Sequence, residues 1–327
     1  MSRKAAIHHR AAMVHAQIAA AWEKVRGQVS EEEFFGPKNP YYALLDRLYR
    51  EDFPLAQIMD TADLVLHAEG PSAQDAKPTL HAINWMVGNA EKQLRTFSRS
   101  LFELALRDAK RLGRAMDLRL TGFAPGSIYA GVSLEPPEAD LHGPGEEEPV
   151  FRVLREAIRK LPLIPTFVED ETISSGIYDA FPDPAQRDAG LLAAYHLAPT
   201  GKLGIHTLEL FVPGDPPAEL SQRERVVLRE ALKRPVLRTS RHGSFVGEVR
   251  EIDLDKTRFH LRDVSGFGAL RCILPEVTAE KARPLLGSRV RVEGEYDVDP
   301  SSGRPRLLVV SSITPLADPV QESIPEI

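Results

Sequence analysis

Apolar positions near the start of the chain follow a helical period. Ile7, Ala11, Val14, Ile18, Ala21, Trp22 and Val25 mark one face of a helix over 4–27, which Gly27 stops. The aromatic patch Phe34, Phe35, Tyr41 and Tyr42 is broken by Gly36, Pro37 and Pro40, so a packed loop is expected to lead into a short helix over 41–50. A further helix is expected over 54–67, then a loop from Gly70 to Pro78. The strongest amphipathic pattern covers about 79–116, with Ile83, Val87, Ala90, Leu94, Phe97, Leu101, Leu112 and Met116 on one face. Lys92, Arg95 and Arg99 share the opposite face, with Lys110, Arg111 and Arg114 further along.

The period then changes from helical to alternating. Leu118–Phe123 and Ile128–Leu134 predict a hairpin around Ala124-Pro125-Gly126-Ser127. Glu135 to Pro149 is rich in Pro, Gly and Glu and reads as an acidic loop. Helices are expected over 150–161 and from Pro184 to Leu197, and a third strand from Ile205 to Val212. Ser221, with Glu224 three residues on, forms a capping box that opens a last helix ending near Arg234-Pro235.

Beyond that point five alternating runs follow. They are Ser244–Leu254, Thr257–Asp263, Ala269–Leu274, Ser288–Val298 and Arg306–Thr314, with a helical stretch Thr278–Leu286 between the third and fourth. Val290, Val292, Gly294 and Tyr296 alternate with Arg289, Arg291, Glu293 and Glu295, as a strand with one buried face requires. Three strands, a helix and two strands in this length resemble the OB fold. A five-stranded barrel of SH3 type is the rival, and the helix-bearing link favours OB. The predicted class is α+β: a mostly helical body with a small antiparallel sheet over 1–235, an OB-like barrel over 239–316, and a tail over 317–327. The whole chain also resembles a class of uncharacterised bacterial proteins, in which a helical body with a hairpin precedes such a barrel. That resemblance implies a regulatory role in a bacterial defence or toxin-control assembly.

Composition excludes several classes. The net charge of −6 gives no global case for nucleic acid, and the acidity sits in the middle of the chain. One cysteine, Cys272, excludes an internal disulfide and any cysteine-rich zinc site, which fits a reducing, cytoplasmic setting. No apolar run reaches the length of a membrane span.

Candidate chemistry is sparse. In an OB barrel the ligand crosses the second and third strands. Their outward side is expected to show Arg258, His260, Arg262 and Arg271, with Arg304 and Arg306 at the loop between the last two strands. This basic stripe is the candidate nucleic-acid or partner surface, and Lys92, Arg95 and Arg99 form a secondary basic face. Against nucleic acid, no aromatic platform faces outward, and Asp253, Asp255, Asp297 and Asp299 are expected in the flanking loops. His8, His9 and His15 lack metal-ligand spacing, and Glu169-Asp170-Glu171 reads as a loop. Gly126-Ser127 follows a strand without the nucleophile-elbow pattern and reads as a turn. Thr200-Gly201-Lys202 has His196 where a phosphate loop needs glycine. No catalytic residue, metal or cofactor is expected. The expected function is a non-enzymatic binding or regulatory subunit with a protein partner. A nucleic-acid-binding protein and an enzyme of unrecognised type are the alternatives.

Overall fold

The computed structural model describes residues 2–74, 78–101, 117–124, 127–135, 149–233, 235, 237–254, 257–275 and 279–316. The chain is an α+β protein. Two compact units emerge. One holds the residues up to Thr166 together with Ala193–Val226, and the other holds Phe167–Leu192 with the residues from Val227 onward. The sequence pattern drew its boundary at Pro235; the unit that carries the C-terminal strands also takes Phe167–Leu192.

In the first unit, helix α1 (Arg3–Val25) starts where the Ser2 hydroxyl accepts the Ala5 N–H at 3.1 Å. It buries Ile7, Ala11, Val14 and Ile18 against Leu45, Leu48 and Ala56, which come from α2 (Pro40–Arg47), a wider π turn over Leu48–Asp52, and α3 (Phe53–Thr61). The helix expected over 54–67 therefore ends at Thr61, and strand β1 (Leu64–Glu69) replaces its last part. Leu64 to Ala68 are all buried, so the strand is covered on both faces and its apolar residues, broken only by His67, show no alternation.

Around β1 lie β2 (Leu118–Ala124), β3 (Ile128–Leu134), β4 (Thr207–Phe211) and β5 (Ala218–Ser221), in the order β2-β3-β1-β4-β5, all antiparallel. The register puts Leu64, Leu66 and Ala68 on one face with Ala130, Val132, Leu208, Leu210 and Leu220, all buried. The opposite face carries Val65, His67 and Glu69 of β1. Ile58 of α3 covers its Val65 end together with Ala124 and Phe211.

Helices α4 (Leu80–Leu101) and α5 (Pro149–Lys160) pack on each other, burying Met86, Leu94 and Phe97, and Phe151, Leu154 and Ile158. The rest of the helix expected to reach 116, with Lys110, Arg111 and Arg114, lies outside the described residues, as do Glu146–Glu148 and the tail. Helix α6 (Pro184–Leu197) follows the expected bounds. Helix α7 (Gln222–Lys233) is capped as expected: Glu224 accepts the Ser221 N–H at 2.8 Å, and the Ser221 hydroxyl accepts the Arg223 N–H at 3.1 Å.

In the second unit, β6 (Arg241–Asp253), β7 (Arg258–Val264), β8 (Gly268–Ile273), β9 (Arg289–Val298) and β10 (Pro305–Pro315) close a barrel in the order β10-β8-β7-β6-β9. β10 runs parallel to β8 and antiparallel to β9, so the barrel is mixed and consistent with an OB-like barrel. Val249, Phe259, Leu261, Leu270, Cys272, Val290, Val292 and Leu308 fill it. Gly294 is obligatory for closure, since a Cβ there would lie 2.0 Å from the Val309 carbonyl oxygen across the β9–β10 pair.

Cys272 is fully buried, and burial pushes its thiol well up from the ordinary range. Only the thiolate reacts, so a disulfide reagent should modify Cys272 at the rate the barrel opens. The expected result is labelling about 1,000-fold or more slower in native buffer than in denaturant, read by mass spectrometry.

Candidate functional site

Three arginines of the stripe expected on the barrel, Arg258, Arg271 and Arg306, are engaged by carboxylates rather than open. Arg258 is 6 % exposed, and it grips Asp188 of α6 through Nη2 at 2.7 Å and Nε at 3.3 Å. Arg271 Nε donates at 2.7 Å to Asp188 Oδ2, the oxygen that also accepts from Arg258 Nε. Arg306 Nε meets Asp183 at 3.0 Å, while Asp183 also caps α6 by accepting the Ala185 N–H at 2.8 Å. All these residues belong to the second unit. His260 is half-buried; burial, then Arg271 and Arg262, lower its pKa to about 4, so it stays neutral. Arg262 is half-buried and Arg304 is exposed.

Asp297, which the sequence places in a loop, lies instead on β9, 1 % exposed, and pairs with Arg187 Nη2 at 3.0 Å. For Asp188 alone, the sequence of α6 signals a buried acid, without saying which cation meets it. Asp188 shares a helical face with Ala185, Ala189 and Leu192, and a carboxylate on an apolar stripe demands a buried cation. On α4, Lys92 and Arg99 are exposed and Arg95 pairs with Glu91 at 2.7 Å, an ordinary solvated helix face.

Of a second constellation the sequence singles out only Ser127, read there as a turn residue. On the sheet face that carries Val65 and His67, Tyr129, His67, Glu209 and Glu219 stand opposite one another on β3, β1, β4 and β5. His67 is 4 % exposed, its ring stacked on Tyr129 with centroids 3.8 Å apart and planes 3° from parallel. Nδ1 lies 2.7 Å from Glu209 Oε2, and Nε2 lies 2.7 Å from the hydroxyl of Ser127, just before β3. Glu69 Oε1 is 3.5 Å from Nε2. Burial raises the Tyr129 phenol, helped by Glu209 and Glu69. Burial also raises Glu219, with Glu224, Glu209 and Glu69 adding like charge. A buried imidazole held by a carboxylate on one nitrogen and a hydroxyl on the other can take a proton from that hydroxyl.

Among the described residues, no group of His, Cys, Asp and Glu could hold a metal ion, and no helix is long and apolar enough to cross a membrane. No family model matches the chain, and no curated protein matches it. The chain is similar to the solved structure of the hypothetical protein ygiW from E. coli, at 18 % identity over 27 % of this chain and 85 % of that one, with a TM-score of 0.18.

Proposed function

We propose that the protein is a binding or regulatory protein acting through protein contacts, and that its C-terminal barrel is an OB fold. The supporting observation is the neutralisation of Arg258, Arg271 and Arg306 by carboxylates of their own unit. Binding a phosphate backbone needs cations that exchange solvent counterions for phosphates. Arg258, Arg271 and Arg306 already sit 2.7–3.0 Å from Asp188 and Asp183. On β9, exposed Arg289 and Arg291 are followed along the same face by exposed Glu293 and Glu295, and His242 of β6 lies 3.4 Å from Glu295. A face of mixed sign suits a protein surface better than a polyanion.

Two measurements test this. Tagged full-length chain used as bait in lysate of the native host should capture the same protein partner with and without nuclease. A labelled single-stranded oligonucleotide should bind more weakly than about 10⁻⁴ M at physiological salt, the weak end of non-specific binding. Tighter binding that falls steeply with salt and drops in Arg262→Ala and Arg304→Ala would overturn the proposal for a nucleic-acid one.

A further inference from the structure

We propose that Ser127 is an activated nucleophile, with His67 as its general base and Glu209 as the group that orients the base, and that this site cleaves esters of neutral or cationic acids. The inference concerns the first unit alone and does not rest on the reading of the barrel. Three strands fix the parts: His67 on the central strand, Glu209 directly opposite on one neighbour, Ser127 at the entry to the other. The Glu209 carboxylate can only accept, so it takes the Nδ1–H of His67 at 2.7 Å. The Nε2 lone pair is then left for the Ser127 O–H at 2.7 Å. This is the geometry by which a serine, a base and an orienting acid are recognised on unrelated folds, whatever their order in the chain. Tyr129 fixes the plane of the ring by stacking on it, and Ser127 is half-buried, so its oxygen remains approachable while His67 is shielded.

Attack forms a bond from Ser127 Oγ to the acyl carbon as the hydroxyl proton passes to His67 Nε2. Collapse breaks the bond to the leaving alcohol, which takes that proton. Water then attacks the acyl-serine and gives a proton to His67, which returns it to Oγ as the carboxylic acid departs. The Tyr129 ring stacks on His67 beside Ser127, and burial, with Glu209 and Glu69, raises its phenol so that it stays protonated. It is the donor at hand for the developing oxyanion. The surrounding charge sets the substrate class. Glu69, Glu209 and Glu219 gather on one sheet face and repel an anionic acyl group or phosphate.

The test uses a neutral alkyl fluorophosphonate on the folded full-length chain. Ser127 Oγ bonds to phosphorus, fluoride leaves, and the proton passes to His67. The expected result is one adduct per chain, mapped by peptide mass spectrometry to Ser127, and absent in Ser127→Ala. Glu209 is partly exposed, so Glu209→Gln should fold and label about 10-fold more slowly; His67→Gln should label about 100-fold more slowly, the lower range for general-base assistance. Release of p-nitrophenol should be about 10-fold faster from a p-nitrophenyl ester bearing a trimethylammonium group than from its carboxylate counterpart. A histidine that only fills the core would give folded protein with no Ser127 adduct, or an adduct formed as fast in Glu209→Gln and in urea; either result overturns the proposal. A reversed charge preference overturns the substrate class.

Discussion

Asp188→Asn lowers the stability of the barrel-bearing unit by about 3–5 kcal/mol, the cost of leaving buried charge without its counterion. Asp188 is 3 % exposed and is shared by Arg258 and Arg271, so the amide leaves two guanidinium groups without a counter-charge, although Arg258 keeps the Leu232 carbonyl at 3.1 Å. Urea unfolding read by thiol labelling of Cys272 reports that unit, whereas fluorescence of Trp22 and Trp85 reports the other. The Cys272 transition should shift strongly and the tryptophan transition far less. Replacing the cluster together, as Asp188→Leu with Arg258→Met and Arg271→Met, should restore much of the loss, because a well-packed apolar set needs no counterion.

The same carboxylate fixes part of the pH dependence. Burial pushes Asp188 up, but the Arg271 and Arg258 guanidinium groups outweigh it and hold the pKa at about 2, below the ordinary 3.8. The unfolded chain then binds this proton first, so stability is fully present above about pH 4 and is lost as pH falls through 2. His260 acts in an earlier window. Folded, it titrates near 4 rather than 6.5, so the unfolded chain takes up its proton first and stability declines from about pH 6.5 down to 4. Acid unfolding of the barrel unit should therefore show two steps; Asp188→Asn should remove the lower one and, because the Asp188 charge raises His260, deepen the upper one.

The barrel was legible because one face of each strand is buried. Arg289, Arg291, Glu293 and Glu295 alternate with Val290, Val292 and Gly294, and Asp299–Gly303 turns the chain between the last two strands. β1 was not legible because Leu64 to Ala68 are covered on both faces, which erases the alternation. What neutralises the basic stripe was invisible for another reason. Spacing along β7 and β8 shows which way Arg258 and Arg271 point, but not that a helix 70 and 83 residues earlier presents Asp188 to them. The row around His67 is less accessible still. Ser127 and Glu209 lie 60 and 142 positions away, and only the strand order β3-β1-β4 brings them to one imidazole. Local periodicity fixes faces and elements; partners across a sheet depend on topology, which no short-range pattern encodes.

Asp297→Ala should be as damaging as the loss of Asp188, at about 3–5 kcal/mol, and for a related reason. Its two oxygens accept the Arg238 N–H at 2.9 Å, the Thr239 N–H at 3.1 Å, the Thr239 hydroxyl at 2.7 Å, the Val298 N–H at 3.0 Å and Arg187 Nη2 at 3.0 Å. Burial raises its pKa, but these donors more than reverse the effect and hold it below the ordinary range. Alanine strands all five donors at once, and a buried donor without an acceptor carries its full desolvation cost. Asp297→Asn keeps one accepting oxygen and should cost about 2 kcal/mol. Arg187→Met removes one donor of the five and leaves the carboxylate satisfied by the others, so it should cost less than Asp297→Ala by about 2 kcal/mol. Arg187 also donates to the Phe181 carbonyl at 3.0 Å and stacks over Tyr178, so the loss does not vanish. The same asymmetry holds at Asp188, where Arg271→Met leaves the two bonds from Arg258 intact. In both clusters one acid gathers several donors, so stability is concentrated on Asp188 and Asp297 rather than on the arginines that first drew attention. Urea midpoints for the five single variants, followed through Cys272, give that order or contradict it.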